Sequence, residues 1–154
     1  MAFQTQEELD AYADWVKDEM RGMVKHVRDS DLFTEEVMGH AVWTLPHRMF
    51  LGKVWPEGNK SRSYWIIAGQ GLPTDHVEGA LARDAREAAR HFSMKWQLQS
   101  AQLEKLAESG ENDPGVDWQS VSARLQQQAE GLYQLVENED MWKMTEGPLV
   151  RQDA

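Results

Sequence analysis

The spacing of apolar residues near the start of the chain predicts a long amphipathic helix. Apolar side chains recur there every three or four residues, which places them on one face of an α-helix with charges on the others. They are Leu9, Tyr12, Ala13, Val16, Met20, Met23 and Val27. Thr5 followed by Glu8 has the spacing of a capping box, so the helix is expected over residues 6–28.

The next part of the chain changes to a composition typical of strands. Residues 41–45, 50–55 and 64–68 are compact runs rich in β-branched and aromatic side chains. Turn-forming residues separate them at 46–48 and again at 56–60. Short neighbouring runs joined by tight turns predict a three-stranded antiparallel meander.

A second helix is predicted after the glycine-containing joint at 69–73. Asp75 and Glu78 repeat the capping-box spacing and mark its expected start. Apolar residues then follow one helical face for about eight turns, a rod of roughly 50 Å. They are Val77, Leu81, Ala85, Ala88, Phe92, Trp96, Leu103 and Leu106. A rod of that length exceeds the expected width of the domain, so its far end is expected to project, bend or pack against another copy.

A last helix is predicted to return antiparallel to this rod. Residues 110–115 contain the turn formers of a reversal, and Asp117 can cap the helix that follows. Gly147 and Pro148 argue against further helix in the acidic tail, which Trp142 is expected to hold in place before a loose end at 145–154.

These elements predict one α+β domain over residues 1–154. An N-terminal helix and a three-stranded antiparallel meander precede a long C-terminal helical hairpin. The length of 154 residues and the 41% hydrophobic content suit a single globular core.

Charge and composition narrow the classes of partner and compartment. The formal net charge of −10 opposes binding to a phosphate backbone, so no nucleic-acid partner is expected. No apolar run approaches the roughly 20 residues of a membrane span, and the first ten residues lack the pattern of a signal peptide. The chain has no cysteine, which favours a reducing compartment. A cytoplasmic protein with no membrane partner is predicted.

The five histidines supply the candidate chemistry. His40 and His47 flank the first predicted strand, and with Asp75 or His76 they could meet at one end of the sheet as a metal or proton-transfer site. His91, one turn after Glu87 on a predicted helix, is a further acid–base candidate. An ordinary pair on the helix surface is the favoured explanation of that spacing, because nothing nearby supplies a nucleophile or an oxyanion hole. No histidine pair has the spacing of a zinc-protease helix, and no motif predicts a bound metal or cofactor.

Part of the C-terminal half resembles a small bacterial protein family of unknown function. One segment of the resemblance is Pro73, Thr74, Asp75, Ala85, Arg86, Glu87, Ala88, Arg90, His91, Phe92, Ser93, Trp96 and Gln97; a later one is Ala129, Glu130, Gly131, Leu132 and Tyr133. The resemblance implies no catalytic residue.

Two functional hypotheses follow from the sequence. The overlong apolar stripe favours a protein that binds a protein partner or itself as a homodimer, rather than an enzyme. The alternative is a small-molecule-binding protein or enzyme whose site at the sheet end uses His40, His47, Asp75 and His91.

Overall fold

A four-stranded sheet lies between helices on both of its faces in the computed structural model, which describes residues 3–109 and 115–144. The elements are α1 (Gln6–Asp29), β1 (Val37–Leu45), β2 (Met49–Pro56), β3 (Tyr64–Gly69), β4 (Asp75–Glu78), α2 (Ala85–Glu108), α3 (Trp118–Glu137) and α4 (Glu139–Met144). The α+β prediction is confirmed, with four strands in place of three. None of the described helices is long and apolar enough to cross a membrane.

The sheet is an antiparallel meander in the order β1-β2-β3-β4. Successive side chains of a strand point to opposite faces, and in β2 and β3 both faces are apolar. Leu51 and Ile67 pack towards α2 and α3, whereas Phe50 and Ile66 pack towards α1. All four of these side chains are fully buried. The sheet therefore needs a helical layer on each side.

The predicted capping box at Asp75 and Glu78 is wrong, because these residues form β4. Val77 lies opposite Trp65 on β3 and fills the core beside it. The same spacing recurs at Asp84 and Glu87, and Asp84 is the true N-cap of α2, accepting from the Glu87 amide at 2.8 Å. Residues 75–78, the first copy of this spacing, join the sheet because they can form backbone hydrogen bonds with β3 and because Val77 adds an apolar side chain to the core.

The later start shortens the second helix. It has 24 residues, which corresponds to about 36 Å rather than the rod of roughly 50 Å predicted from the sequence. A helix of this length does not extend beyond the expected width of the domain.

The helix start predicted at Thr5 is confirmed. Thr5 Oγ1 accepts from the Glu8 amide at 3.0 Å, while the Glu8 carboxylate accepts from the amide of Gln4 rather than from that of the cap. Farther along α1, Tyr12 and Thr44 join their hydroxyls at 2.6 Å and tie the helix to β1.

Small polar residues hold α2 and α3 together. Ser93 Oγ donates to the Ala129 carbonyl at 2.9 Å, and Ser122 Oγ donates to the Ser100 carbonyl at 2.8 Å. At the end of α3, Arg86 Nε donates to the Val136 carbonyl at 2.8 Å and satisfies a C-terminal carbonyl of that helix. The two helices form the predicted antiparallel pair; residues 110–114 of the predicted reversal lie outside the described part of the chain.

Trp142 anchors the end of the described chain, as predicted. Its ring stacks on Trp43 with 4.1 Å between centroids, and its Nε1 donates to the Leu135 carbonyl at 2.9 Å. The segment around it is a short helix, α4, where the sequence predicted none. The predicted loose tail at 145–154, with Gly147 and Pro148, lies outside the described residues.

Replacing Trp142 with alanine should destabilise the fold by roughly 3–5 kcal/mol, because the change removes a buried aromatic side chain and its stack on Trp43. The free energy of unfolding in urea measures this. Trp142→Phe keeps most of the stack and should cost clearly less. Equal losses in the two variants would contradict a packing role for the ring.

Candidate functional site

The edge strand β4 brings polar side chains to the seam between the sheet and its two helical layers. Asp75 and His76 are neighbours in the strand, so their side chains leave it in opposite directions. His76 meets His26 of α1, while Asp75 meets Lys95 and Trp96 of α2. One short strand thus connects both helical layers through polar contacts.

The two histidines form a direct pair. His26 Nε2 and His76 Nδ1 lie 2.9 Å apart, so one nitrogen carries the shared proton and the other accepts it. The Tyr64 ring meets the His76 ring edge-on, with 5.8 Å between centroids. Both imidazoles are half-buried.

The Asp75 carboxylate accepts three hydrogen bonds. Lys95 Nζ donates to Oδ1 at 2.8 Å, and the backbone amide of His76 donates to the same oxygen at 2.8 Å. Trp96 Nε1 donates to Oδ2 at 2.9 Å. These donors fix the position and the charge of the carboxylate.

Burial and neighbouring charges favour neutral histidines beside an ionised aspartate. Burial lowers the pKa of His26, against the opposing effect of Asp75 and Asp29. Burial also lowers the pKa of His76, and the charge of Lys95 lowers it further. Burial on its own would raise the pKa of Asp75, but its hydrogen bonds, led by those from Lys95 and Trp96, outweigh this and lower it. Neutral imidazoles carry the lone pairs that proton transfer and metal coordination require.

The three side chains form a compact donor set. One ligand atom each from His26, Asp75 and His76 lies within 4.8 Å of the others. Two imidazole nitrogens on one zinc-sized ion, each about 2.0–2.1 Å from it, lie about 2.9 Å apart at a right angle and about 3.4 Å apart at the tetrahedral angle. The observed separation falls at the lower of these values, and a small ring rotation reaches the higher one.

The structure separates most of the side chains that the sequence placed together. His40 lies within β1 opposite Lys53, and its ring contacts Trp55. His47 is in the turn after β1, on a left-handed backbone with φ 63°, and its ring faces Trp15. Strands β1 and β4 are opposite edges of the sheet, about 14 Å apart across three strand spacings, so neither histidine joins Asp75.

The predicted pairing of His91 with Glu87 is also absent from the contacts of the described residues. The Glu87 carboxylate instead accepts from Arg83 Nε at 3.2 Å. Arg83 comes one turn before Glu87, whereas His91 comes one turn after it. His91 is half-exposed on α2 and lies outside the cluster on β4.

Sequence reasoning missed His26 and Lys95. One signal for His26 was present, because it comes three residues after Met23 and one before Val27, both buried on the face of α1 that meets the sheet. A titratable residue at such a position needs a partner. Lys95 precedes the buried Trp96 and gave no signal of its own.

A second feature is an apolar patch on the outer side of α2. Met94 and Leu98 are 53% and 66% exposed and lie one helical turn apart. At about 100° per residue they point away from Phe92 and Trp96, which face the core. This patch has no covering element within the described chain.

The comparison with protein families matches residues 9–142 to a domain of unknown function, DUF4826. The chain belongs to this family. No curated protein and no solved structure matches the chain. Membership in DUF4826 is consistent with the resemblance to a family of unknown function, and it assigns no activity, so the function has to be argued from the side chains themselves.

The lowered pKa values of His26 and His76 predict that the fold loses stability as the pH falls. In the unfolded chain each imidazole takes up a proton near its ordinary pKa of about 6.5. The stability that the neutral pair contributes is present above that pH and is lost as the pH falls through the lower pKa of the folded state. The pair should therefore lower the melting temperature between pH 7 and pH 5, against a smaller opposite effect of Glu19, whose pKa burial raises.

The variant His76→Asn should show a smaller drop in thermal unfolding followed by circular dichroism at constant ionic strength. The pKa of Asp75 lies below its ordinary 3.8, so this carboxylate stays ionised over the whole range. His91→Gln, outside the cluster, is the control and should keep the full pH dependence. A drop of the same size in His76→Asn as in the wild type would contradict the assignment.

Proposed function

We propose that this DUF4826 protein binds a divalent transition-metal ion through His26, Asp75 and His76. The observation that carries the proposal is the convergence of two half-buried imidazoles and one carboxylate within 4.8 Å. This is the sheet-end hypothesis with a different set of residues: Asp75 and His76 stay, and His26 takes the place of His40, His47 and His91.

The chemistry of the donor set supports a transition metal. Imidazole nitrogen suits zinc, copper, iron and nickel, whereas magnesium and calcium prefer oxygen ligands alone. The lowered pKa values of both histidines keep the imidazoles neutral, so an ion has no extra proton to displace. The proton shared by His26 Nε2 and His76 Nδ1 has to move to the other nitrogen of its ring before both facing nitrogens can bind an ion. Three protein ligands leave coordination positions for water or a small ligand, as in catalytic rather than structural sites.

The surroundings of the ligands support the same proposal. Trp96 Nε1 holds Asp75 Oδ2 from the core side, and the His76 amide holds Oδ1 from the strand. Metal-ligating carboxylates are commonly oriented by hydrogen bonds of this kind. The site also joins α1 to β4, so an ion there would link two layers of the fold.

A second candidate function is self-association, one of the two forms of the leading hypothesis from the sequence, which is binding of a protein partner or of a second copy. The overlong helix no longer supports it, but the exposed Met94 and Leu98 do. Two copies of α2 could pack antiparallel with Met94 of one opposite Leu98 of the other. Glu87 would then lie opposite Lys105, because both pairs of residues are centred on position 96 of the helix. That register joins apolar and oppositely charged side chains across a two-fold axis.

The cellular setting remains a proposal as well. The absence of cysteine suits a reducing compartment, and we place the protein in the cytoplasm on that ground. A bacterial source stays a prediction from the family resemblance.

Metal binding is tested by titrating untagged, metal-free protein with Zn²⁺ in a calorimeter and with Co²⁺ by visible absorption. One equivalent should bind. His26→Gln and His76→Asn place an amide nitrogen near the lost ring nitrogen, so they keep a hydrogen bond but lose a ligand. Each should weaken binding at least about 100-fold, since even outer contacts of metal sites are worth 10–100-fold.

The matched control is His91→Gln, which removes a histidine from outside the cluster and should leave the affinity unchanged. Binding that survives both His26→Gln and His76→Asn, or no binding by the wild type, would overturn the proposal. If the wild type binds no metal, the role of the histidine pair is structural, as a hydrogen bond that joins α1 to β4.

Self-association is tested by sedimentation equilibrium. The wild type should have twice the 17.7 kDa mass of one chain. Leu98→Glu places a charge at the centre of the patch and should yield monomers, whereas Val121→Glu, at a site on α3 that is 42% exposed, should remain dimeric. A wild type that is monomeric at about 100 µM, well above the Kd of a stable dimer, rules this candidate out.

A further inference from the structure

The ammonium of Lys95 already neutralises the carboxylate that the metal site needs. Its Nζ lies 2.8 Å from Asp75 Oδ1 and 3.0 Å from the carbonyl oxygen of His76. A carboxylate offers about four lone-pair positions, and Lys95, Trp96 and the His76 amide occupy three of those on Asp75. An arriving cation therefore meets a carboxylate that already has a cation.

Of these three donors, Lys95 is the one that can leave. Trp96 is 1% exposed and packs against Phe92 in the core, so its indole is fixed. The His76 amide belongs to the backbone of β4. The Lys95 side chain is 31% exposed, and its ammonium is carried on a flexible four-carbon stem that can turn towards solvent.

We infer that Lys95 is the resident cation of the site and sets its affinity, and that a divalent ion binds by displacing Lys95 from Asp75. The inference rests on the proposed metal-binding function and names the residue that regulates it. An ion bound to Asp75 and an ammonium hydrogen-bonded to the same carboxylate would lie within about 5 Å of each other, where like charges in a half-buried site repel strongly. The two cations are therefore alternative occupants.

Displacement also changes how strongly each helical layer is held to β4. Lys95 ties α2 to β4 through both Asp75 and the His76 carbonyl. An ion held by His26, Asp75 and His76 would add a bond to the existing contact between α1 and β4. Binding of the ion would thus weaken the contact between α2 and β4 and strengthen the contact between α1 and β4, with Trp96 keeping Asp75 in place throughout.

The test compares Zn²⁺ affinity in Lys95→Met and in Lys105→Met, a control at an exposed lysine of the same helix. Lys95→Met keeps the apolar stem and removes the competing charge, so it should bind Zn²⁺ at least about tenfold more tightly than the wild type. Lys105→Met should bind like the wild type, and Lys95→Arg, which keeps a positive charge, should bind no more tightly than the wild type. Without metal, Lys95→Met should melt at a lower temperature, and Zn²⁺ should raise its melting temperature by more than that of the wild type.

A second measurement needs no variant. Lys95 in the wild type should react faster with an amine-labelling reagent when Zn²⁺ is bound than without it, as followed by mass spectrometry of the labelled peptide. Wild type that binds Zn²⁺ with no change in Lys95 labelling, or Lys95→Met that binds no more tightly, overturns the role of Lys95 and leaves the metal site standing. Failure of the wild type and every variant to bind overturns the metal site and this inference with it.

Discussion

The architecture depends on one constraint, which is that the sheet is apolar on both faces. Phe50 and Ile66 point to one side and Leu51 and Ile67 to the other, and all four are withdrawn from water. Burial of each such side chain contributes roughly 1.5–3 kcal/mol to the stability of the fold, so neither face of the sheet can be left exposed to water. One helix covers the first face and an antiparallel pair covers the second. The polar cluster then lies at the edge of the sheet, where these layers meet.

Local patterns in the sequence predicted much of this fold, because they depend on neighbouring residues. The period of α1 and the cap at Thr5 belong to a single helix and are confirmed. Likewise, the strand predicted at 64–68 from its β-branched and aromatic residues is observed as β3. The error at Asp75 has a physical cause, since the spacing of a capping box occurs twice, at 75/78 and at 84/87, and sequence alone cannot tell which copy the edge of β3 will recruit.

The cluster itself was beyond sequence reasoning for a related cause. His26 and His76 are 50 residues apart, and Lys95 is 20 residues from Asp75. Periodicity shows which face of an element a residue occupies, but it does not show which element lies opposite. Asp75 was identified as chemically interesting for a reason that proved wrong, as a helix cap near His40 and His47. It meets different histidines because β4 is on the edge of the sheet opposite to β1.

The site follows from the fold through Trp96. Its indole is held in the core at 1% exposure, which fixes the rotation of α2 about its own axis. Lys95 precedes it by about 100° of rotation and so emerges at the margin of the layer, beside β4. The same indole donates to Asp75, so the position of the carboxylate and that of its counter-cation are set by one buried side chain. Asp75 is thus held by a buried donor, whereas the side chain of Lys95 is 31% exposed. Exchange of one cation for another at a fixed anion requires this combination.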